Sequence, residues 1–367
     1  MPILAGKTAD GIKKNQERYR TSTSQYQLDS MGMTEEMKDP LFILSPPRSF
    51  SSLISSMIGQ HPELYAFPEL QIFSDDTIGE MMQKNQRRFN RLASAGSIRS
   101  ISEIHEHRQT DESCTRAWLW LLKHADWSPF EFFDYLRRKV APLIAVEKTP
   151  VNTWKISRLE KIVRAYPNAK FLHLSRSVNG NAKSLKEFIK DQDELLGRKE
   201  TDQLTGRALS REYPASVWYI CHRNILNIKP LIKEENFLQI KGEDLLNQPT
   251  LILTQFCNWM NINTNATCIN AMLRPHESPY AFVGPRIAVG GNDGKFMRQP
   301  VLALKNTRHQ KSSQTYREEA KAQYHKLDFD HFFNRYKAMS SRELQQVERW
   351  CAQLSKEILA MQTRLGY

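Results

Sequence analysis

The chain has 367 residues, 40 % of them hydrophobic and 25 % charged, enough for one large α/β domain or two small ones. No apolar run approaches the about 18 residues that read as a membrane span, and the N-terminus (MPILAGKTADGIKKNQERYR) has no apolar stretch of signal-peptide length, so a cytoplasmic location is expected. A formal net charge of +12 admits nucleic acid, a membrane surface or an anionic small ligand. The charge is spread along the chain, with clusters at 84–91 and 137–139, and no aromatic-interleaved nucleic-acid motif accompanies it. The expectation is therefore an anionic ligand, with no nucleic-acid partner and the remaining excess on solvated surface. The five cysteines are odd in number and lack metal-ligand spacing, so they read as reduced packing residues and no metal site is expected.

Residues 1–38 are polar and aperiodic and read as an N-terminal arm; 39–367 read as a single domain. Leu41 to Leu44 is a short continuous apolar run, suited to a strand buried on both faces. Pro46 and Pro47 end it, and Leu53, Ile54, Met57 and Ile58 then recur at helical spacing until Gly59. Between strand and helix lies Arg48-Ser49-Phe50-Ser51-Ser52. Free N–H groups at a helix N-terminus, the positive end of its dipole, a guanidinium fork and hydroxyls together suit a phosphate. The plain alternative is that these serines are N-cap and turn residues. The loop is not GxxxxGK[ST], so no lysine or hydroxyl is placed for a nucleoside triphosphate and its magnesium.

Residues 75 to 140 read as a mostly helical insertion, with Ser128 as N-cap and Pro129 at the first helical position of its last helix. Within it, Lys84 to Arg99 reads as a solvated basic helix and connector, or a substrate lid. Leu143–Val146, Lys170–Leu174 and Phe237–Lys241 read as further strands, each followed by a helical pattern; that alternation predicts an α/β three-layer sandwich with a central parallel sheet. A helix at about 341–365 carries an apolar stripe (Leu344, Val347, Cys351, Leu354, Ile358, Met361, Leu365), with Ser340 and Glu343 as a capping box.

Arg176 ends a strand and Ser184 follows eight residues later, about two turns into the next helix, where both can reach one phosphate. Alone the pair is unspecific. Together with Pro47-Arg48-Ser49-Phe50-Ser51-Ser52, Glu147-Lys148-Thr149-Pro150 and Gly242-Glu243-Asp244-Leu245-Leu246, in that order, it resembles the sulfotransferases that use 3′-phosphoadenosine-5′-phosphosulfate (PAPS). Ser278-Pro279-Tyr280-Ala281, Gly284-Pro285 and Gly291-Asn292-Asp293 are similar to bacterial members, stand-alone and polyketide-assembly-line enzymes alike. In that family the first loop usually has glycine where this chain has Phe50, and Gly242-Glu243-Asp244-Leu245 is similar to its Tyr-Glu-Asp-Leu element. Ser177-Val178 replaces the usual acidic-or-His-Pro pair, and Gln71 stands where assembly-line relatives often have histidine.

The resemblance implies the P-loop-like nucleotide-binding fold of sulfotransferases. It implies a PAPS-dependent enzyme that sulfates a hydroxyl of a small-molecule or carrier-protein-bound acceptor, with adenosine 3′,5′-bisphosphate as product. Cofactor binding then falls to Arg48, Ser49, Phe50, Ser51 and Ser52 at the 5′ end and to Arg176 and Ser184 at the 3′ end. Gly290, Gly291 and Lys295 would close over the phosphates. Glu69 is the base candidate, against the reading of a surface glutamate, with His276 as the alternative base. Lys148, at a strand's C-terminal end, is assigned to charge stabilisation. His173 reads as a hydrogen-bonded core histidine. Two other readings stay open from the residues alone. One is a phosphoryl-transferring kinase, which the missing GK[ST] disfavours. The other is a nucleotide-binding relative without turnover, hinted at by Phe50 and Gln71.

Overall fold

The computed structural model describes residues 37–87, 94–195, 214–302, 312–324 and 341–367. At its centre is β1 (Leu41–Leu44), flanked in a wholly parallel five-stranded sheet of order β2-β3-β1-β4-β5. The other strands are β2 (Leu64–Ala66), β3 (Ile144–Glu147), β4 (Lys170–Ser175) and β5 (Phe237–Lys241). The helices, in chain order, begin with α1 (Ser51–Ile58), α2 (Ile78–Arg87), α3 (Ala95–Glu106), α4 (Asp111–Lys123), α5 (Pro129–Val140), α6 (Ile156–Ala165), α7 (Val178–Leu195) and α8 (Pro214–Ile228). They continue with α9 (Gly242–Asn247), α10 (Pro249–Met260), α11 (Ala266–Met272), α12 (Gly294–Arg298), α13 (Ser313–Tyr324) and α14 (Ser341–Arg364).

The two-residue period of β1 divides the core. Phe42 and Leu44 join Phe133, Leu159, Ile162 and Phe171 on one face; Leu41 and Ile43 join Ile54, Met57, Leu253 and Phe256 on the other. Helices cover both faces, which gives the three-layer sandwich the alternation predicts. Phe42 is fully buried and stacks on Phe171 with ring centroids 5.6 Å apart. Truncating such a ring to alanine costs about 3–5 kcal/mol. A separate apolar cluster seats α14 against α7 and α8 through Leu354, Ile358, Met361, Val178 and Trp218. Among the described residues no helix is long and apolar enough to cross a membrane.

Three expectations are corrected or completed. The structure adds β2, a three-residue edge strand, in register with Ile144 to Val146. Of the basic segment at 84–99, residues 88–93 lie outside the described residues, and Arg99 is not solvated but fully buried inside α3. Ser128 is the N-cap ahead of Pro129, and Glu131 adds a capping box, each side chain bonding the other's backbone N–H. Apart from residues 37 and 38, the arm at 1–38 lies outside the described residues, as does Ser340.

The strand order reverses around β1: α1 leads toward β2 and β3, and the chain then crosses to β4. In an open parallel sheet that reversal leaves a crevice at the strands' C-terminal ends. There the chain places Arg48, Lys148, Arg176 and Gly242, following β1, β3, β4 and β5.

Candidate active site

The loop after β1 turns twice through the left-handed region, at Arg48 (φ 66°) and Phe50 (φ 62°). Asn181 of α7 holds it from behind, its Nδ2 donating to the Pro47 carbonyl at 2.7 Å and to Ser49 Oγ at 3.0 Å. Phe50 occupies the N-cap of α1 and brings no side-chain acceptor. The first N–H groups of α1 therefore remain for an anion, beside the buried Ser51 and Ser52.

Lys148 is the hub of the crevice. Its fully buried ammonium donates to Ser52 Oγ at 3.0 Å, Glu69 Oε1 at 2.8 Å and Asn292 Oδ1 at 3.0 Å. Three acceptors match the three N–H bonds of an ammonium, so the buried charge is both paired and fully hydrogen-bonded. Glu69 keeps 21 % of its side chain exposed, so its carboxylate meets the buried cation on one side and solvent on the other. Its backbone N–H donates to the Gly291 carbonyl at 2.6 Å. Asn292 is steadied by donating from Nδ2 to the Tyr280 carbonyl at 3.2 Å. Beside Lys148, burial pushes the Glu147 carboxyl up to about 7, and Asn152 donates to its Oε2.

The two arginines meet above the loop. Arg176 Nη1 donates to the Arg48 carbonyl at 2.7 Å, and Arg48 Nε donates to Ser184 Oγ at 3.2 Å. Arg48 also pairs with Asp293, and its guanidinium lies 5.2 Å from the centre of the Phe188 ring. Burial lowers both guanidinium pKa values; for Arg48 the neighbouring Arg176 lowers it further, with Glu69, Glu187 and Asp191 opposing. Arginine does not deprotonate, so both stay charged with part of their hydration removed, and an anionic ligand beside them would replace that lost solvation.

The structure thus gathers Arg48, Ser49, Phe50, Ser51, Ser52, Glu69, Lys148, Arg176 and Ser184 in one crevice. Arg48 and Ser184, assigned to opposite ends of the nucleotide, are hydrogen-bonded to each other. Gly290 and Gly291 face inward: the Gly290 carbonyl accepts from Arg99 at 2.5 Å, and the Gly291 carbonyl accepts from Glu69. Lys295 stands at the surface, paired with Glu187 at 2.7 Å. His276 is exposed on the turn Pro275–Glu277, which packs against α1, and is not among the acceptors of Lys148. His173 is a core residue, bonded through Nε2 to His222 Nδ1 at 2.7 Å. Sequence reasoning missed Asn181, Asn292, Asp293 and Arg99 as working parts. Asn292 and Asp293 lay within Gly291-Asn292-Asp293, which carried only a resemblance; Arg99 was masked by its basic neighbours.

A model of the sulfotransferase family matches residues 40–266. Among solved structures, the sulfotransferase domain of the Synechococcus PCC 7002 olefin synthase is similar at 22 % identity and a TM-score of 0.56, covering 77 % of this chain and 92 % of that one. The sulfotransferase domain from the curacin biosynthetic pathway is similar at 21 % identity and a TM-score of 0.56, over 80 % of this chain and 99 % of that one. At such identities the two structures speak for the fold. No curated protein matches the chain. The family match runs through β1, the loop after it, Lys148, Arg176 and β5, over more than half the sequence, and on that ground the chain belongs to the sulfotransferase family.

Proposed function

We propose that this sulfotransferase takes its sulfuryl group from PAPS and delivers it to a hydroxyl of a small-molecule or carrier-bound acceptor. One observation carries the reading: Lys148 joins the phosphate loop, through Ser52, to the base candidate, through Glu69, in a single buried contact. The donor's loop, the stabilising cation and the base candidate are thereby within one side chain of each other. The site also suits a doubly phosphorylated nucleotide. The N-terminus of α1 has no side-chain cap, and two part-buried arginines stand beside it. The similar domains from an olefin synthase and from curacin biosynthesis favour an acceptor of the biosynthetic kind.

In this reading Arg48, Ser51, Ser52 and the N–H groups of α1 hold the 5′-phosphosulfate, and Arg176 with Ser184 holds the 3′-phosphate. Glu69, partly open to solvent, takes the proton from the acceptor hydroxyl as its oxygen bonds to sulfur. Lys148 stands where negative charge grows as the sulfur–oxygen bond to phosphate breaks, and adenosine 3′,5′-bisphosphate leaves. Ordering is the larger part of the work, since sulfuryl transfer needs an in-line acceptor.

The test combines transfer of radiolabelled sulfate from PAPS to a panel of hydroxylated metabolites with calorimetric titration of adenosine 3′,5′-bisphosphate, AMP, ATP–magnesium and RNA. The bisphosphate should bind far better than the other three, and Arg176→Ala should weaken it roughly ten- to a hundred-fold. Equal affinity for AMP and the bisphosphate would reject the 3′ assignment.

A further inference from the structure

Among the described residues no carboxylate is in ion-pair contact with Arg176. Three features frame it. The centre of the Phe50 ring lies 4.1 Å from Cζ of the guanidinium, well inside cation–π range. The Arg48 carbonyl takes one N–H. On the remaining side runs the first turn of α7, where a Cβ on Gly180 would sit 3.1 Å from Nε and 3.6 Å from Nη2.

Phe50 reaches that place at a cost. Its φ of 62° is a left-handed conformation that side chains other than glycine adopt unwillingly. Its ring also depends on Gly242: a Cβ there would sit 2.6 Å from Phe50 Cδ2 and 3.4 Å from Cε2. Gly242 is not among the residues of positive φ, so the position uses the missing side chain and not an unusual backbone. A strained phenylalanine, a glycine cleared for its ring and a second glycine at the guanidinium's edge all serve one arginine.

We propose that Phe50 is a positioning residue for nucleotide binding. Its ring is the platform that aims the Arg176 guanidinium at the donor's 3′-phosphate, and Gly242 is the clearance that lets the ring stand there. This rests on the reading of Arg176 as the 3′-phosphate ligand. The ring touches Arg176 and needs no contact with the nucleotide. Its removal should therefore act only on ligands that carry the 3′-phosphate.

The experiment measures Kd for adenosine 3′,5′-bisphosphate and for AMP on the full chain and its variants. Phe50→Leu keeps apolar bulk and loses the ring's face; bisphosphate affinity should fall roughly 3- to 30-fold while AMP affinity stays the same. Phe50→Tyr keeps the face and should retain the wild-type ratio. Gly242→Ala should displace the ring and reproduce the selective loss, and adding it to Phe50→Leu should cost little more. Phe50→Gly suits the left-handed backbone, so it guards against misfolding and should show the same selective loss. A structural role alone would weaken both ligands together, and that outcome overturns the proposal. So does a wild-type ratio in Phe50→Leu. The controls are separate: if wild type shows no preference for the bisphosphate, or Arg176→Ala keeps it, the assignment of Arg176 fails first.

Discussion

Lys148 has no spare hydrogen: Ser52, Glu69 and Asn292 each take one. Substitutions around it should therefore separate proton transfer from binding. Glu69→Gln keeps size and an oxygen acceptor but cannot act as a base at neutral pH. Turnover should fall about 10²–10⁴-fold with bisphosphate affinity nearly unchanged; near-normal turnover would move the base assignment to His276. Lys148→Ala should lower turnover and weaken the bisphosphate as well, because the cation acts on both bound and reacting states. Asp293 offers an opposite effect. Its carboxylate pairs with Arg48 while its Oδ1 caps α12 at the N–H groups of Lys295 and Phe296. Asn is as good an N-cap as Asp, so Asp293→Asn keeps the helix start and removes the competing charge. Bisphosphate binding should tighten by about 5- to 30-fold, worth roughly 1–2 kcal/mol. An unchanged Kd in the same titration would show that the pair does not oppose the ligand. Arg48, Lys148 and Arg176 were legible because each follows an apolar strand. Asn292 and Asp293 were not, since they reach the crevice from a loop without periodicity.

At the scale of elements, strands with continuous apolar runs were easy to read and β2 was not. With three residues at the sheet edge, Leu64–Ala66 carries too little pattern to declare itself, and only its pairing with β3 makes it a strand. Arg99 misled for the opposite reason: a basic stretch suggests solvent, but this guanidinium is the internal anchor of the 280–292 loop. It donates to Gln109 Oε1 at 2.6 Å and to the Gly290 carbonyl at 2.5 Å, with the Phe282 ring 4.6 Å away. Burial pushes its pKa down to about 10, which still leaves it charged. The N-terminus of α3 presses on Glu69 from the same side, because a Cβ on Gly96 would run into the Glu69 carbonyl oxygen. Gly96→Ala must therefore move the Glu69 backbone, whose O, C and N are the three atoms nearest that Cβ. A shift of about 1 Å at a reacting group can cost on the order of 10²-fold, so kcat should drop by 10-fold or more. Bisphosphate Kd should hold within about 2-fold of wild type, compared by calorimetry on the same samples. A variant with wild-type kcat would show that the contact between α3 and Glu69 is slack.

The molecule as a whole carries buried titratable groups that set its stability against pH. His173 and His222 are fully buried and share one hydrogen bond; burial holds His173 down to about 3 and His222 well below its ordinary value. In the unfolded chain both bind protons below about 6.5, so the folded state falls behind as pH drops through that value. Glu147 works the other way. Burial raises it to about 7, so between about 4.5 and 7 it holds a proton when folded that the unfolded chain has released. Counting these three groups, from about pH 4.5 to 6.5 the unfolded chain binds two imidazole protons against the single carboxyl proton of the fold. The net excess of one proton makes stability rise with pH by about 1.4 kcal/mol per unit, or roughly 2–3 kcal/mol over the window. Above about 6.5 only the Glu147 proton remains, and the slope reverses weakly up to about 7. Urea midpoints measured from pH 4.5 to 7.5 should therefore peak near 6.5. Glu147→Gln removes the opposing carboxyl but can still accept from Asn152. Its acid limb should be about twice as steep as that of wild type, and its slight decline above 6.5 should vanish. Equal wild-type midpoints at pH 5 and pH 6.5 would show that the histidine pair takes up protons without unfolding, and that its burial does not govern acid stability.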